Sequence, residues 1–151
     1  MSSPLNIRPL DTVDIGDIVA IDEKITGHYR PEIWETRCAY YLRRDPDAAL
    51  VAVTSGDRGE QVIGFMLGEV RSGEFGLEAP TGWIEVLGVD PDHRGRAIGR
   101  RLADAMLSHF ESRDAETVRT LVDDQSMADI AGFFESLGFE PAPLRPYVKK
   151  L

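Results

Sequence analysis

The sequence predicts a mixed α/β (α+β) fold, one central sheet covered by helices, with the element order β-α-α-β-β-β-α-β-α-β-β. Three observations carry that expectation. Apolar runs at residues 48–54 and 61–70 are parted by Ser55-Gly56-Asp57-Arg58-Gly59, a hairpin signal. The run at residues 83–89 is apolar on both faces except at Glu85, as a central strand is. A helical stripe follows it, and then another strand, so the two strands should form a right-handed crossover unit and run parallel. Six to seven strands and about four helices are expected.

Residues 5–8 form a short strand candidate closed by Pro9. Asp11 or Asp14 can cap a first helix that carries Ile15, Ile18, Ile21 and Ile25 and ends near Gly27. Pro31 suits the first turn of a second helix, whose stripe is Ile33, Trp34, Cys38, Tyr41 and Leu42 and whose end is Asp45-Pro46. After the hairpin, a glycine-rich loop over residues 71–82 leads into the central strand, which Asp90-Pro91 stops. The third helix runs over about residues 98–113, with Ile98, Leu102, Ala105, Met106, His109 and Phe110 on one stripe. A strand follows at residues 117–122. Ser126 can cap a fourth helix bearing Ile130, Phe133, Phe134 and Leu137, with Gly138 just past its end. Residue 139 onward and residues 147–151 supply one or two closing strands.

A chain of 151 residues is one domain's worth, here taken as residues 1–151 without linker or repeat. Such a domain buries about 68–70% of its unfolded surface, enough for a core with a pocket. Cys38 is the only cysteine, which excludes an internal disulfide and a multi-cysteine metal cluster. His93 and His109 read as loop and helix residues without metal-ligand partners, so no metal is expected. No apolar run approaches the roughly 18 residues of a membrane helix, and the start lacks the pattern of a signal peptide. A cytoplasmic protein is expected. The formal charge is −9, which argues against nucleic acid or an anionic membrane as partner, because phosphate binding needs a basic face.

One segment departs from that acidity. Between the central strand and the third helix lies Asp90-Pro91-Asp92-His93-Arg94-Gly95-Arg96-Ala97-Ile98-Gly99-Arg100-Arg101, with four arginines in eight positions. Gly95 and Gly99 let a ligand approach the backbone, and the first amides of a helix are free donors at the positive end of its dipole. Together they suit a phosphate or pyrophosphate. The alternative is a solvated loop whose arginines pair with Asp90, Asp92 and Asp104. No Gly-Lys-Ser/Thr is present, so the loop is no P-loop, and the GxGxxG of a dinucleotide turn is missing.

Residues 86–102, Val-Leu-Gly-Val-Asp-Pro-Asp-His-Arg-Gly-Arg-Ala-Ile-Gly-Arg-Arg-Leu, resemble the acyl-CoA-binding motif of the GCN5-related N-acetyltransferases (GNAT). The later Gly132-Phe133-Phe134-Glu135-Ser136-Leu137-Gly138-Phe139 resembles that family's last helix and the strand after it, and the element order matches over nearly the whole chain. The resemblance implies acetyl-CoA as cosubstrate and a primary amine as acceptor: a small amine, an amino terminus or a lysine side chain. It assigns the pyrophosphate to backbone amides of Arg94, Gly95, Arg96, Ala97, Ile98, Gly99 and Arg100. It assigns the pantetheine arm to the backbone of Leu87, Gly88 and Val89, with Phe134 packed against it. Ala97 stands where the family pattern has its first glycine, which is tolerable if its φ is negative.

Acetyl transfer needs a neutral amine, and an amine of pKa near 10 is mostly protonated at pH 7, so a carboxylate base is useful. Glu85 is the first candidate, because acidic residues on this strand often serve as base in the family. By the period of two it shares a face with Trp83, Leu87 and Val89. Glu74, Asp123 and Asp124 are further candidates. Phe134 occupies the place of a tyrosine that protonates the thiolate in many members, and Met127 that of a helix-start asparagine. Tyr147 is a possible acid, or the thiolate leaves unaided. His28, Tyr29 and Arg30, between the first two helices, border the acceptor pocket in the family. Acidic residues near the proposed cleft, Glu74, Glu78, Asp123 and Asp124, weakly favour a cationic amine. Two alternatives stay open: a non-catalytic acyl-CoA-binding or regulatory module, and a binder of another phosphorylated ligand. A homodimer is conceivable, since family members are frequently dimers.

Overall fold

The computed structural model describes residues 4–72, 79–123, 125 and 129–151. It forms two compact units, Met1–Leu121 and Val122–Leu151.

The first unit holds β1 (Leu5–Pro9), α1 (Ile15–Thr26), α2 (Pro31–Arg44), β2 (Ala49–Gly56), β3 (Gly59–Arg71), β4 (Thr81–Val89), α3 (Ile98–Ser112) and β5 (Thr117–Thr120). The strands lie in the order β1-β2-β3-β4-β5. The first three pairings are antiparallel and β4–β5 is parallel, as the crossover requires. Asp11 caps a 3-10 turn at Thr12–Asp14 in a reciprocal box with Asp14, and α1 continues from it to Gly27, whose φ of 79° closes the helix. Pro31 opens α2, where its missing N–H costs nothing.

Each face of the sheet is covered by helices. On one face Ile18, Ile21, Trp34 and Cys38 of α1 and α2 pack on Ala49, Val51, Val53, Phe65 and Leu67. Ile25 and Ile33 lie at the exposed rims of their stripes. On the other face α3 presses Ile98, Leu102, Met106 and Phe110 onto a row of glycines. A Cβ at Gly64 would meet Ile98 and Leu102, one at Gly68 would meet Met106 and Phe110, and one at Gly82 would sit inside the Phe110 ring. Close helix approach is thus written into three strand positions.

The second unit holds α4 (Ile130–Ser136), capped by Asp129, whose Oδ1 accepts the Gly132 N–H at 2.8 Å. Gly138 follows with φ 92°, as expected of a residue just past a helix end. The expected cap Ser126 lies outside the described residues, as do Glu74, Glu78, Asp124 and Met127.

Among the described residues the sheet has five strands, fewer than the six to seven expected. Residues 139–151 carry no strand. Pro141, Pro143 and Pro146 explain the difference, since each removes a ladder donor and fixes φ.

Candidate functional site

The chain builds its most distinctive edge where β4 outlasts β5. The parallel ladder runs from Thr81 opposite Thr117 to Ile84 opposite Thr120 and stops there. Glu85, Val86, Leu87, Gly88 and Val89 continue β4 without a ladder partner on that side among the described residues. Thr120 closes the junction by donating its hydroxyl to the Ile84 carbonyl at 2.9 Å.

Glu85 is also a bulge. Leu67 of β3 faces Val86 and Gly68 faces Ile84, so Glu85 is the extra residue between them. The bulge corrects the period-of-two expectation. Glu85 keeps the face of Trp83, but Leu87 and Val89 pair with Met66 and Gly64 and so lie on the α3 face. A single extra residue reverses every side chain beyond it. Gly88 faces the other way, where a Cβ would strike the Phe65 ring, so packing alone demands glycine there.

Past Val89 the chain is anchored before it opens. The Asp90 N–H donates to Ile63 O at 2.8 Å, and its buried carboxylate accepts the Asp92 N–H at 3.0 Å and Lys24 Nζ at 3.0 Å. Burial works to raise the Asp90 pKa, but these donors outweigh it and hold the group below the ordinary carboxylate range. Lys24 also takes Asp92 at 3.0 Å. Those two carboxylates are therefore committed to a lysine of α1. Arg94 and Arg100 are exposed and without an ion pair among the described residues. Arg101 instead donates to Leu5 O at 2.9 Å.

The turn into α3 uses two positive φ values, 87° at Gly95 and 56° at Ala97. Ala97 was expected at negative φ. The structure places it in the left-handed region, where a Cβ costs about 1–2 kcal/mol. The loop keeps the course a glycine would take and carries the strain. The first helical bond is Arg101 N–H to Ala97 O at 3.0 Å, so the amides of Ile98, Gly99 and Arg100 precede it and have no acceptor within the helix. The Ile98 side chain is buried under the sheet, so its amide is the one group it could offer a ligand.

A second assembly stands on the Glu85 face. Arg71, the last residue of β3, donates Nη2 to Glu85 Oε1 at 2.5 Å and Nε to Glu69 Oε1 at 2.6 Å. Its guanidinium lies 4.9 Å from the Trp83 ring centre. Glu69 is 2% exposed and also accepts the Tyr40 hydroxyl at 3.2 Å and Arg44 Nε at 3.4 Å. Burial alone would raise the Glu69 pKa; hydrogen bonds from Arg71 and Tyr40 and the two arginine charges bring it below the usual range. Tyr41 beside them is pushed up to about 12 by burial and then by the charges of Glu85 and Glu69. Sequence reasoning missed Glu69, although it is the one acid within the apolar run 61–70, the same signal that singled out Glu85.

The remaining candidates scatter. Arg30 is held by Asp22 through Nε at 2.8 Å and Nη2 at 2.9 Å, tying α1 to the start of α2. His28 and Tyr29 are exposed, and Tyr29 lines a depression of about 570 Å³ together with Ile15, Val19, Glu23, Lys24 and Glu35. His109 Nε2 meets Asp45 at 2.8 Å. In the second unit Phe134 stacks edge-on against Phe133 and Phe139, Asp123 accepts the Gln125 N–H, and Tyr147 is 92% exposed.

Relatives share both sequence and fold. A mycothiol acetyltransferase of Thermobispora bispora is 37% identical over 83 residues, 55% of this chain and 28% of that protein. One from Nocardioides sp. is 36% identical over 103 residues, 65% of this chain and 35% of that protein. The chain thus matches about a third of the length of these curated relatives. Among solved structures, aminoglycoside N-acetyltransferase AAC(6')-Iy in complex with CoA superposes with a TM-score of 0.80 at 16% identity, covering 99% of this chain and 97% of that one. Ard1 from Thermoplasma volcanium gives 0.72 at 24% identity, covering 90% and 82%. The profile of the acetyltransferase (GNAT) family matches residues 18–139, and by that match the chain belongs to this family.

Proposed function

We propose that this chain is an acetyl-CoA-dependent N-acetyltransferase domain acting on a primary amine in the cytoplasm. The observation that carries the reading is the edge of β4 from Glu85 to Val89, unpaired among the described residues and running straight into the free amides of α3. An edge of that kind pairs with amide groups of an extended ligand as it would with another strand, which suits a pantetheine arm at Leu87, Gly88 and Val89. The amides of residues 94–100 and the helix dipole suit the pyrophosphate. Two exposed arginines, Arg94 and Arg100, add charge where the phosphates would lie.

In this reading the amine nitrogen attacks the thioester carbonyl carbon and the C–S bond breaks. Glu85, directly or through one water, takes the proton the amine loses. The thiolate leaves with the electron pair and is protonated from solvent, since a thiol pKa near 8.5 makes it a fair leaving group. Phe134 has no proton to give, and Asp123 is engaged in its own turn. The similarity to mycothiol acetyltransferases supports acetyl transfer. A cationic acceptor and a homodimer belong to the same proposal.

Thiol release from acetyl-CoA, measured with glucosamine, spermidine, a lysine-bearing peptide and an alanine-leading peptide, tests it. Turnover with at least one amine is expected. Glu85→Gln should lower kcat about 10²-fold or more with KM for acetyl-CoA little changed. Binding of CoA with no thiol release on any amine would instead favour a non-catalytic acyl-CoA module, the reading that Phe134 supports.

A further inference from the structure

The bulge that places Glu85 at the open edge also deprives it of a ladder neighbour. No β3 residue stands opposite it to set the direction of its side chain. Another device must hold a base within hydrogen-bond reach of its proton, and the geometry points to one on the adjacent strand. We infer that Glu69 and Arg71 form a clamp that positions Glu85: Glu69 anchors the Arg71 guanidinium, and the guanidinium holds the Glu85 carboxylate at the β4 edge. The inference rests on the assignment of Glu85 as base.

Three features support the clamp. Two different nitrogens of one planar group make the two contacts, so fixing Nε against Glu69 also fixes where Nη2 meets Glu85. Side-chain exposure is 2% at Glu69 and about a third or less beyond it, 31% at Arg71 and 27% at Glu85. The ordered end is buried and the working end reaches solvent. The Trp83 ring, on the same face of β4 as Glu85, supports the guanidinium plane from one side. Glu69 is itself held by Tyr40 and Arg44 of α2, so the anchor belongs to the packed core.

The charges argue the same way. Glu69 and Glu85 are both acids on one sheet face, and a buried carboxylate without its cation is costly. Arg71 serves both. A simple structural pin between β3 and β4 would need only one of the two contacts.

A double-mutant cycle on the full chain separates positioning from mere stability. The variants are Arg71→Gln, Arg71→Lys and Glu69→Gln, each alone and combined with Glu85→Gln, assayed by thiol release with the best amine of the panel above. Arg71→Gln and Glu69→Gln should each lower kcat about tenfold, with KM for acetyl-CoA within about twofold of wild type. In the Glu85→Gln background the same changes should cost less than about twofold, because the residue they act through is gone. Arg71→Lys should recover only part of kcat, since an ammonium lacks the planar fork. Equal losses in both backgrounds would overturn the clamp, as would a wild-type kcat in Arg71→Gln. Failure of the base assignment looks different: Glu85→Gln alone would keep its kcat. One measurement needs no acceptor and detects loss of folding directly. In NMR spectra the Arg71 Nε–H should exchange with water at least about tenfold more slowly in wild type than in Glu69→Gln. Equal exchange in two folded proteins would show that Glu69 anchors nothing.

Discussion

The loop proposed to hold phosphate and the Glu85 cluster are built on the same strand by opposite means. The loop over residues 90–100 is contiguous, and what it would offer a ligand is backbone: two positive φ values and the amides of Ile98, Gly99 and Arg100, which have no acceptor within the helix. Asp90 and Asp92 hold the loop in place through Lys24 of α1. The cluster draws Glu85 from β4, Glu69 and Arg71 from β3, and Tyr40 and Arg44 from α2. It acts through side chains whose positions depend on register and helix packing. A backbone site tolerates many side chains but few changes of conformation. A side-chain site has the reverse sensitivity.

Substitutions test that contrast. The largest effect is expected from Arg94→Glu combined with Gly99→Pro, which reverses one charge and removes one free amide. Calorimetry with CoA should show affinity weaker by about 100-fold or more, while the fold persists, because proline is tolerated in the first turn of a helix. Undiminished CoA binding would remove the loop from the site. Next in size is Gly82→Ala, on the α3 face of β4 and so on the opposite face from Glu85, which drives a methyl group into the Phe110 ring. Denaturant unfolding should show a loss of about 1–3 kcal/mol from overpacking. An equal loss of CoA affinity in the folded protein would mean that α3 packing sets loop geometry.

Asp90→Asn should cost about 1 kcal/mol at pH 7 by weakening the Lys24 pair, which is partly exposed. Its pH signature identifies it. The Asp90 carboxyl titrates below its ordinary value in the folded chain, so its stabilisation is full above about pH 4 and is lost as pH falls through the folded pKa. The variant's melting temperature should therefore fall less than the wild type's between neutral pH and about pH 3. Parallel curves would assign the acid loss to other depressed carboxylates such as Asp14, Asp22 and Glu69. The smallest effect belongs to Ala97→Gly. Relief of left-handed strain, offset by glycine's larger unfolded entropy, should leave a net gain of about 0.5 kcal/mol in thermal melts. A loss would mean that the strained alanine contributes to packing.

Legibility followed locality. The hairpin, the strand 83–89, the crossover and the helix caps at Asp11, Pro31 and Gly138 depend on neighbours in sequence, and the structure has them. The positive φ of Ala97 was legible only through the family pattern, which has a glycine there, because residue type by itself argued against it. The closing strands failed for a local reason that was open to reading, the three prolines after Glu140.

By itself the sequence set the order of the elements as far as the fourth helix and the family to which the loop after β4 points. Each rests on a contiguous pattern whose physics is complete within about one turn or strand. Tertiary structure alone decided the bulge at Glu85, the face reversal of Leu87 and Val89, and the union of Glu69 with Arg71 and Glu85. Strand register is a negotiation between two segments, and a one-residue slip turns every later side chain over. That cannot be computed from either strand alone.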